Sequence, residues 1–290
     1  MKMIDWGDAL VKELAARRCI VFTGAGVSAG CKSTIGDRTP PKWDELLTEL
    51  TKKIRNQDDV RTLSEQLIAE KKFLDAAEVI VSALNHADYV DAMRQIFDIP
   101  RYQPSTLHDA ILKIDPKVLI TTNYDTVYDR FCQQGQAAEG YNVFKYTDHH
   151  LVGQLRSPIR CVIKAHGCIT DPESIVLTRS SYFSAKQNNP HFFKTLDALF
   201  LTNTIIFIGY SLGDPDIQIA LENANISAPS SHKHYFVTGS GTPPSLKKAA
   251  ERTYNLEFIE YESGNFEALS ASVEALADRV LSYRDENPDI

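Results

Sequence analysis

The sequence predicts an α/β fold: a mostly parallel sheet with helices on both faces and a helical insert. Short apolar runs recur at residues 19–22, 117–122, 160–164, 175–177, 204–208, 234–237 and 256–261. Helical patterns separate most of them, the alternation that builds a parallel sheet. Residues 43–115 form the exception, a long stretch with no convincing strand and several helical stripes. At 290 residues and 43% hydrophobic, the chain can bury a sizeable core.

Each element has its own signal. Residues 4–17 read as an amphipathic helix with Ile4, Ala9, Leu10 and Leu14 on its apolar side. The run 19–22 reads as a buried strand that stops at Thr23-Gly24-Ala25-Gly26. Within the insert, Leu46, Leu47, Leu50 and Ile54 give one helical stripe, and Leu63, Leu67 and Ile68 a second. Phe73, Ala77, Ile80, Val81 and Leu84 give a third, and Val90, Met93, Ile96 and Phe97 a fourth. Beyond it, helices are predicted over 126–133, 190–201, 215–223, 245–254 and 266–283, before a polar tail at 284–290. The expected organisation is one domain over 1–290 with the insert at about 43–115 inside it.

Composition narrows the function. A net charge of −7 argues against a broad basic face, so direct nucleic-acid binding is not expected. The five cysteines, Cys19, Cys31, Cys132, Cys161 and Cys168, form no C-x-x-C pair. That argues against a zinc module or a disulfide framework, and fits a reduced cytoplasm. The N-terminus has no signal-peptide core, and the longest strongly apolar run, 205–208, is too short to span a bilayer. Neither a metal nor a membrane is expected.

The glycine loop is the first chemical signal. Two glycines let the backbone turn tightly and approach a ligand, and N–H groups in such a turn suit a diphosphate. No Lys-Ser/Thr follows, so this is not a Walker A loop. Gly24, Gly26 and Ala29 fit the loose dinucleotide pattern G-x-G-x-x-G/A of Rossmann-like sheets. A dehydrogenase would place a strand ending in Asp or Glu about 20 residues on. Here Pro41-Lys42-Trp43-Asp44 occupies that place and reads as a helix start, which weakens hydride transfer and leaves a dinucleotide held in another way.

Ligands of open α/β sheets sit beyond the carboxyl ends of the strands. Those ends carry Gly24-Ala25-Gly26-Val27-Ser28, Thr121-Thr122-Asn123-Tyr124-Asp125, Lys164-Ala165-His166-Gly167 and Gly209-Tyr210-Ser211-Leu212-Gly213-Asp214. Singly, these residues have plainer uses. Asn123 or Asp125 could cap the next helix, His166 could be a hydrogen-bonded turn residue, and Asp214 could cap before Pro215. Their recurrence at successive strand ends favours a site.

In combination, Gly-Ala-Gly-x-Ser, Thr-Asn-Tyr-Asp, His-Gly and Gly-Tyr-Ser-x-x-Asp resemble the sirtuin-like (SIR2-family) domain of bacterial anti-phage NAD hydrolases. Pro41-x-Trp43 and residues 195–214 are similar too, and the resemblance runs from about 19 to 261. It implies cleavage of the nicotinamide–ribose bond of NAD, with NAD as substrate. Asn123, His166 and Asp125 then form the catalytic set: Asn123 orients ribose or water, Asp125 supplies negative charge or a hydroxyl acceptor, and His166 acts as base. Gly24, Ala25, Gly26 and Ser28 hold phosphates. Trp43, Thr122, Gly167, Gly209, Ser211, Asp214 and Thr238 complete the expected binding set.

The chain also departs from sirtuin deacylases, which carry Thr-Gln-Asn-Ile-Asp and two zinc-binding C-x-x-C pairs; between Gly167 and Gly209 it has only Cys168. Rival readings are a protein deacylase, a non-catalytic sensor of NAD or ADP-ribose, and a nuclease, for which no acidic metal cluster is visible. Since unrestrained NAD destruction is toxic, the resemblance further implies gating. With only a short polar tail after the core, the expected gate is homo-oligomerisation or a partner in trans, a HerA-type ATPase or alternatively an Argonaute-type protein.

Overall fold

A computed structural model describes residues 3–133, 140–213, 215–228 and 232–290. Helix α1 (Asp8–Ala15) leads into strand β1 (Cys19–Thr23), buried along its whole length. A single turn, α2 (Ala25–Ser28), and the two-residue strand β2 (Lys32–Ser33) follow. Four helices come next: α3 (Trp43–Thr51), α4 (Asp58–Ala69), α5 (Phe73–Ala83) and α6 (His86–Phe97). Strand β3 (Tyr102–Gln103) then pairs antiparallel with β2.

Helix α7 (Thr106–Ile114) and strand β4 (Val118–Thr121) return the chain to the main sheet. Helix α8 (Val127–Gln133), strand β5 (Tyr141–Lys145), helix α9 (Leu151–Leu155) and strand β6 (Arg160–Lys164) complete one side. After a 3₁₀ turn at Pro172–Ser174 come α10 (Arg179–Asn188), α11 (Pro190–Thr202) and strand β7 (Thr204–Ile208). The other side is α12 (Pro215–Ser227), β8 (His234–Gly239), α13 (Pro244–Tyr254), β9 (Leu256–Tyr261) and the long closing helix α14 (Phe266–Glu286).

Among the described residues, seven parallel strands form the main sheet in the order β5-β6-β4-β1-β7-β8-β9. From β1 the chain lays down β4, then the edge strand β5, then β6 between the two, before it crosses to the other side with β7. This is the Rossmann-like plan, and its reversal between β1 and β7 opens the crevice that ligands occupy. Side chains alternate between two cores, as the period of two requires. Cys19, Val21, Leu119, Val162 and Ile206 face α1, α7 and α14, whereas Ile20, Phe22, Ile120, Ile163 and Phe207 face α10, α11 and α12. Helices therefore cover both faces.

A third core belongs to α3, α5 and α6, built from Leu46, Leu47, Leu50, Ile80, Met93 and Ile96. Ile169, Ile175 and Leu177, which follow β6, join it. Helix α7 instead packs along α14 in the main layer. Local signals start several of these helices. Glu45 accepts from the Lys42 N–H (2.8 Å), Asn85 from the Asp88 N–H (2.9 Å) and Asn265 from the Ala268 N–H (3.0 Å). Pro190 opens α11 at a position where its missing N–H costs nothing.

Three strand expectations need correction. The run 175–177 is no strand. It leaves the 3₁₀ turn buried and extended, as a floor between insert and sheet, since a three-residue apolar run satisfies burial without a ladder. Tyr141–Lys145 is a strand at the edge of the sheet, where partial burial leaves no continuous apolar run to read. The pairing of β2 with β3 also puts a strand inside the 43–115 stretch.

At the crevice the β1 and β7 loops meet backbone to backbone. The Gly26 N–H donates to the Gly209 carbonyl at 2.8 Å. A Cβ on Gly24 or Gly26 would come within 2.8 Å of the Gly209 backbone. Gly209 itself has φ +62°, and a Cβ there would lie 2.4 Å from the Val27 nitrogen. Gly209→Ala is therefore expected to cost at least about 2 kcal/mol, combining left-handed strain with the clash. Gly153→Ala, in α9 with open space around it, is expected to be neutral or stabilising by about 0.5–1 kcal/mol. Denaturant midpoints check both; equal midpoints for the two variants would contradict the packing argument.

Acid sensitivity follows from two buried histidines. Burial drops the pKa of His108 and of His234 to about 4. The folded state therefore keeps both neutral while the unfolded chain protonates them near 6.5, so stability falls as pH drops from about 6.5 to 4. Each contributes on the order of 1.4 kcal/mol per pH unit in that window. Urea unfolding across it is expected to show a shallower slope for His234→Phe than for the parent chain, and an unchanged slope would refute the assignment.

Candidate active site

The carboxyl ends of β1, β4, β6, β7 and β8 surround a cavity of about 770 Å³ at the sheet's reversal point. Gly24, Ala25, Gly26 and Ser28 line it from β1, Thr122, Asn123 and Asp125 from β4, and His166 from β6. Gly209 and Ser211 come from β7, Thr238 from β8, and Trp43 from the insert. Gly167 is not among the lining residues. It makes the turn behind His166 with φ +80°, where a Cβ would strike the Ser174 carbonyl. Asp214 lies outside the described residues.

Polar groups beneath the cavity are tightly paired. Asn123 Nδ2 donates to the Gly24 carbonyl and to Ser28 Oγ, both at 3.1 Å. The Ser28 hydroxyl donates to Asp125 Oδ2 at 2.9 Å, and the Val127 N–H donates to Asp125 Oδ1 at 2.9 Å. The Gly26 N–H and the Ser28 hydroxyl, read from sequence as phosphate contacts, thus have partners inside the protein. Asn123, Ser28 and Asp125 form one hydrogen-bonded chain linking the β1 and β4 loops.

Under that chain lies a buried charge. Lys164 is 1% exposed; it donates to the Asp125 carbonyl and reaches Asp129 Oδ2 at 3.2 Å. Burial works against its ammonium, but the carboxylate of Asp129 leads the neighbours that keep its pKa above the ordinary value. Lys164 therefore keeps its proton and ties the end of β6 to the β4 loop. His166 stands two residues on, with Nε2 3.4 Å from the Tyr182 hydroxyl and the two rings T-shaped at 5.2 Å. The insert side is aromatic: Trp43 packs on Phe73 at 5.4 Å, and Tyr124 on Phe97 at 5.6 Å.

Sequence reasoning placed Lys164 at a strand end without giving it a role, and missed Tyr182. A lysine closing the apolar run 160–164 was the available signal for the first. For the second there was none of comparable strength, because α10 carries no apolar stripe; its buried residues are Tyr182 and Ala185.

Other candidate centres do not match this one. Cys31 Sγ lies 3.8 Å from His108 Nδ1, but burial pushes the thiol up to about 12 and the imidazole down to about 4, the reverse of a nucleophilic pair. A smaller cavity of about 270 Å³ lies at the opposite ends of the strands, beside Arg18, Thr204 and His234. Among the described residues, no three His, Cys, Asp or Glu side chains are grouped to hold a metal, and no helix is long and apolar enough to cross a membrane.

The chain resembles known proteins over most of its length. NAD(+) hydrolase ThsA of Acinetobacter baumannii is 24% identical over 281 residues, 93% of this chain and 53% of that protein. Defense-associated sirtuin 2 of Bacillus subtilis is 25% identical over 230 residues, 78% of this chain and 21% of that protein. The chain thus spans about half the length of the first relative and a fifth of the second. A crystal structure of a SIR2 homolog in complex with NAD aligns over 98% of this chain and 97% of its own, at 15% identity and a TM-score of 0.45. Residues 117–259, which run from β4 into β9 and include Asn123, Asp125 and His166, match the family model of the SIR2-like domain.

Proposed function

We propose that the cavity hydrolyses the nicotinamide–ribose bond of NAD, and that the protein acts as an NAD-depleting effector in anti-phage defence. The observation that carries this is the meeting of Asn123, Asp125 and His166 in one cavity at the sheet's reversal point. The names of the relatives, an NAD(+) hydrolase and a defence-associated sirtuin, support it.

The chemistry asks little of an acid. The bond from ribose C1′ to the pyridinium nitrogen breaks with its electron pair going to nitrogen, so nicotinamide leaves neutral. C1′ takes on oxocarbenium character, as in glycoside hydrolysis. Water then adds to C1′ and loses a proton, giving ADP-ribose. In this reading His166 accepts that proton. Asn123, fixed by Gly24 and Ser28, orients the ribose or the water. Asp125 has both oxygens engaged, which favours a role as fixed negative charge beneath C1′ over direct contact with a hydroxyl. The end of the cavity at Thr238 and Tyr261 takes the adenosine side.

Incubation with NAD and chromatography for nicotinamide tests the reading. Wild-type protein is expected to release nicotinamide and ADP-ribose in equal amounts. Asn123→Ala and His166→Ala are each expected to lose at least about 100-fold in rate with an unchanged circular dichroism spectrum. Wild-type rates in His166→Ala would remove the base assignment, and release of nicotinamide by neither the parent chain nor its variants would remove the activity.

A further inference from the structure

The first turn of α10 stands between the insert and His166. Its buried Tyr182 lines the cavity and brings its hydroxyl to 3.4 Å from His166 Nε2. The edge-to-face ring contact, 77° between planes, fixes the tilt of the imidazole as well. A hydroxyl suits a base that cycles through two protonation states. It donates to the bare nitrogen of the neutral ring and, by rotating, accepts from the N–H of the imidazolium. A carboxylate in that position would favour the charged form alone.

The same turn is anchored from two directions. Within α10, the Ser181 N–H donates to Thr178 Oγ1 at 3.0 Å, and the Ser181 hydroxyl donates back to the Thr178 carbonyl at 2.8 Å. From the insert, Glu78 on α5 accepts both the N–H and the hydroxyl of Ser180, at 2.9 and 2.7 Å. Asp75, one turn earlier on α5, pairs with Arg179 at 2.7 Å. The contacts from α5 are all exposed; the ion pair is weak there, whereas the two bonds to the Glu78 carboxylate are charge-assisted and converge on one residue.

We propose that Tyr182 is a positioning residue for His166, and that α5 of the insert sets its place through Glu78 and the first turn of α10. This rests on the reading of His166 as the base. The link makes NAD turnover responsive to movement of the insert, since Tyr182 follows α5 and His166 follows Tyr182.

The test is steady-state NAD hydrolysis by the full chain with Tyr182→Phe, Glu78→Ala and the double variant, alongside His166→Ala. Tyr182→Phe keeps the ring and removes only the hydroxyl, so it is expected to lower kcat about tenfold with KM unchanged. Glu78→Ala, at a residue that does not line the cavity, is expected to lower kcat about threefold with KM unchanged, and the double variant to be no slower than Tyr182→Phe, as members of one chain of contacts should behave. Imidazole ¹H–¹⁵N spectra, assigned with His166→Gln, are expected to show the His166 tautomer redistributed in Tyr182→Phe. Wild-type kcat or an unaltered tautomer in Tyr182→Phe, with His166→Ala inactive, overturns the positioning role alone. A multiplicative loss in the double variant overturns the link to α5. Full activity of His166→Ala overturns the base assignment and this inference with it.

Discussion

The contact on which the rest of this structure depends is backbone on backbone, where the loop after β1 lies against the loop after β7. Neither loop could approach so closely with side chains between them, because Gly24, Gly26 and Gly209 each have main-chain atoms where a Cβ would go. The approach closes the sheet's reversal point to its observed width. It also consumes the Gly26 N–H, so that part of the glycine signature is spent on assembling the crevice rather than on gripping a phosphate. Glycines at a dinucleotide loop therefore have a packing reason as well as a binding one, a distinction that spacing alone cannot draw.

From that contact the polar network grows in one direction. Asn123 reaches across from β4 to the Gly24 carbonyl, Ser28 relays to Asp125, and Lys164 supports Asp125 from below. An ammonium at 1% exposure is a poor source of net stability, since the desolvation it suffers offsets most of its attraction to Asp129. Its value is geometric. Removing it would leave buried carboxylates without their cation, a loss of roughly 3–5 kcal/mol in comparable cases, so the β4 and β6 loops are held to one arrangement. The buried charge thus fixes where Asn123, Asp125 and His166 stand relative to one another at the cavity.

The sequence was most legible where burial is complete. Central strands such as 19–23 and 204–208 are wet on neither face, so their apolar runs are continuous and their ends can be located, which is also why the residues placed at those ends meet in one cavity. It was least legible where burial is partial. Strand β5 at the sheet edge and helix α10 over the cavity each bury only a few residues, too few to set a period. The apolar trio at 175–177 misled for the converse reason, since it is buried by tertiary packing without belonging to the sheet. Tyr182 was lost with α10, and the role of Lys164 was hidden because a lysine ending an apolar strand reads as the place where the strand meets water.

The insert and the loop after β6 are not independent bodies. His166 and Gly167 run directly into Ile169, Ile175 and Leu177, and those three side chains lie inside the core formed by α3, α5 and α6. The loop is held at its start by the His166 carbonyl, which accepts from the Val176 N–H at 3.0 Å, and from the other side by the Tyr124 hydroxyl on the Val176 carbonyl at 2.9 Å. Tyr124 sits between Asn123 and Asp125, so residue 176 touches the loops after β4 and β6 while its neighbours on either side are buried in the insert. Closely packed cores shift as units rather than deform. A displacement of the insert must therefore be taken up within the segment 166–177, and the first groups along it are the ones that face the cavity.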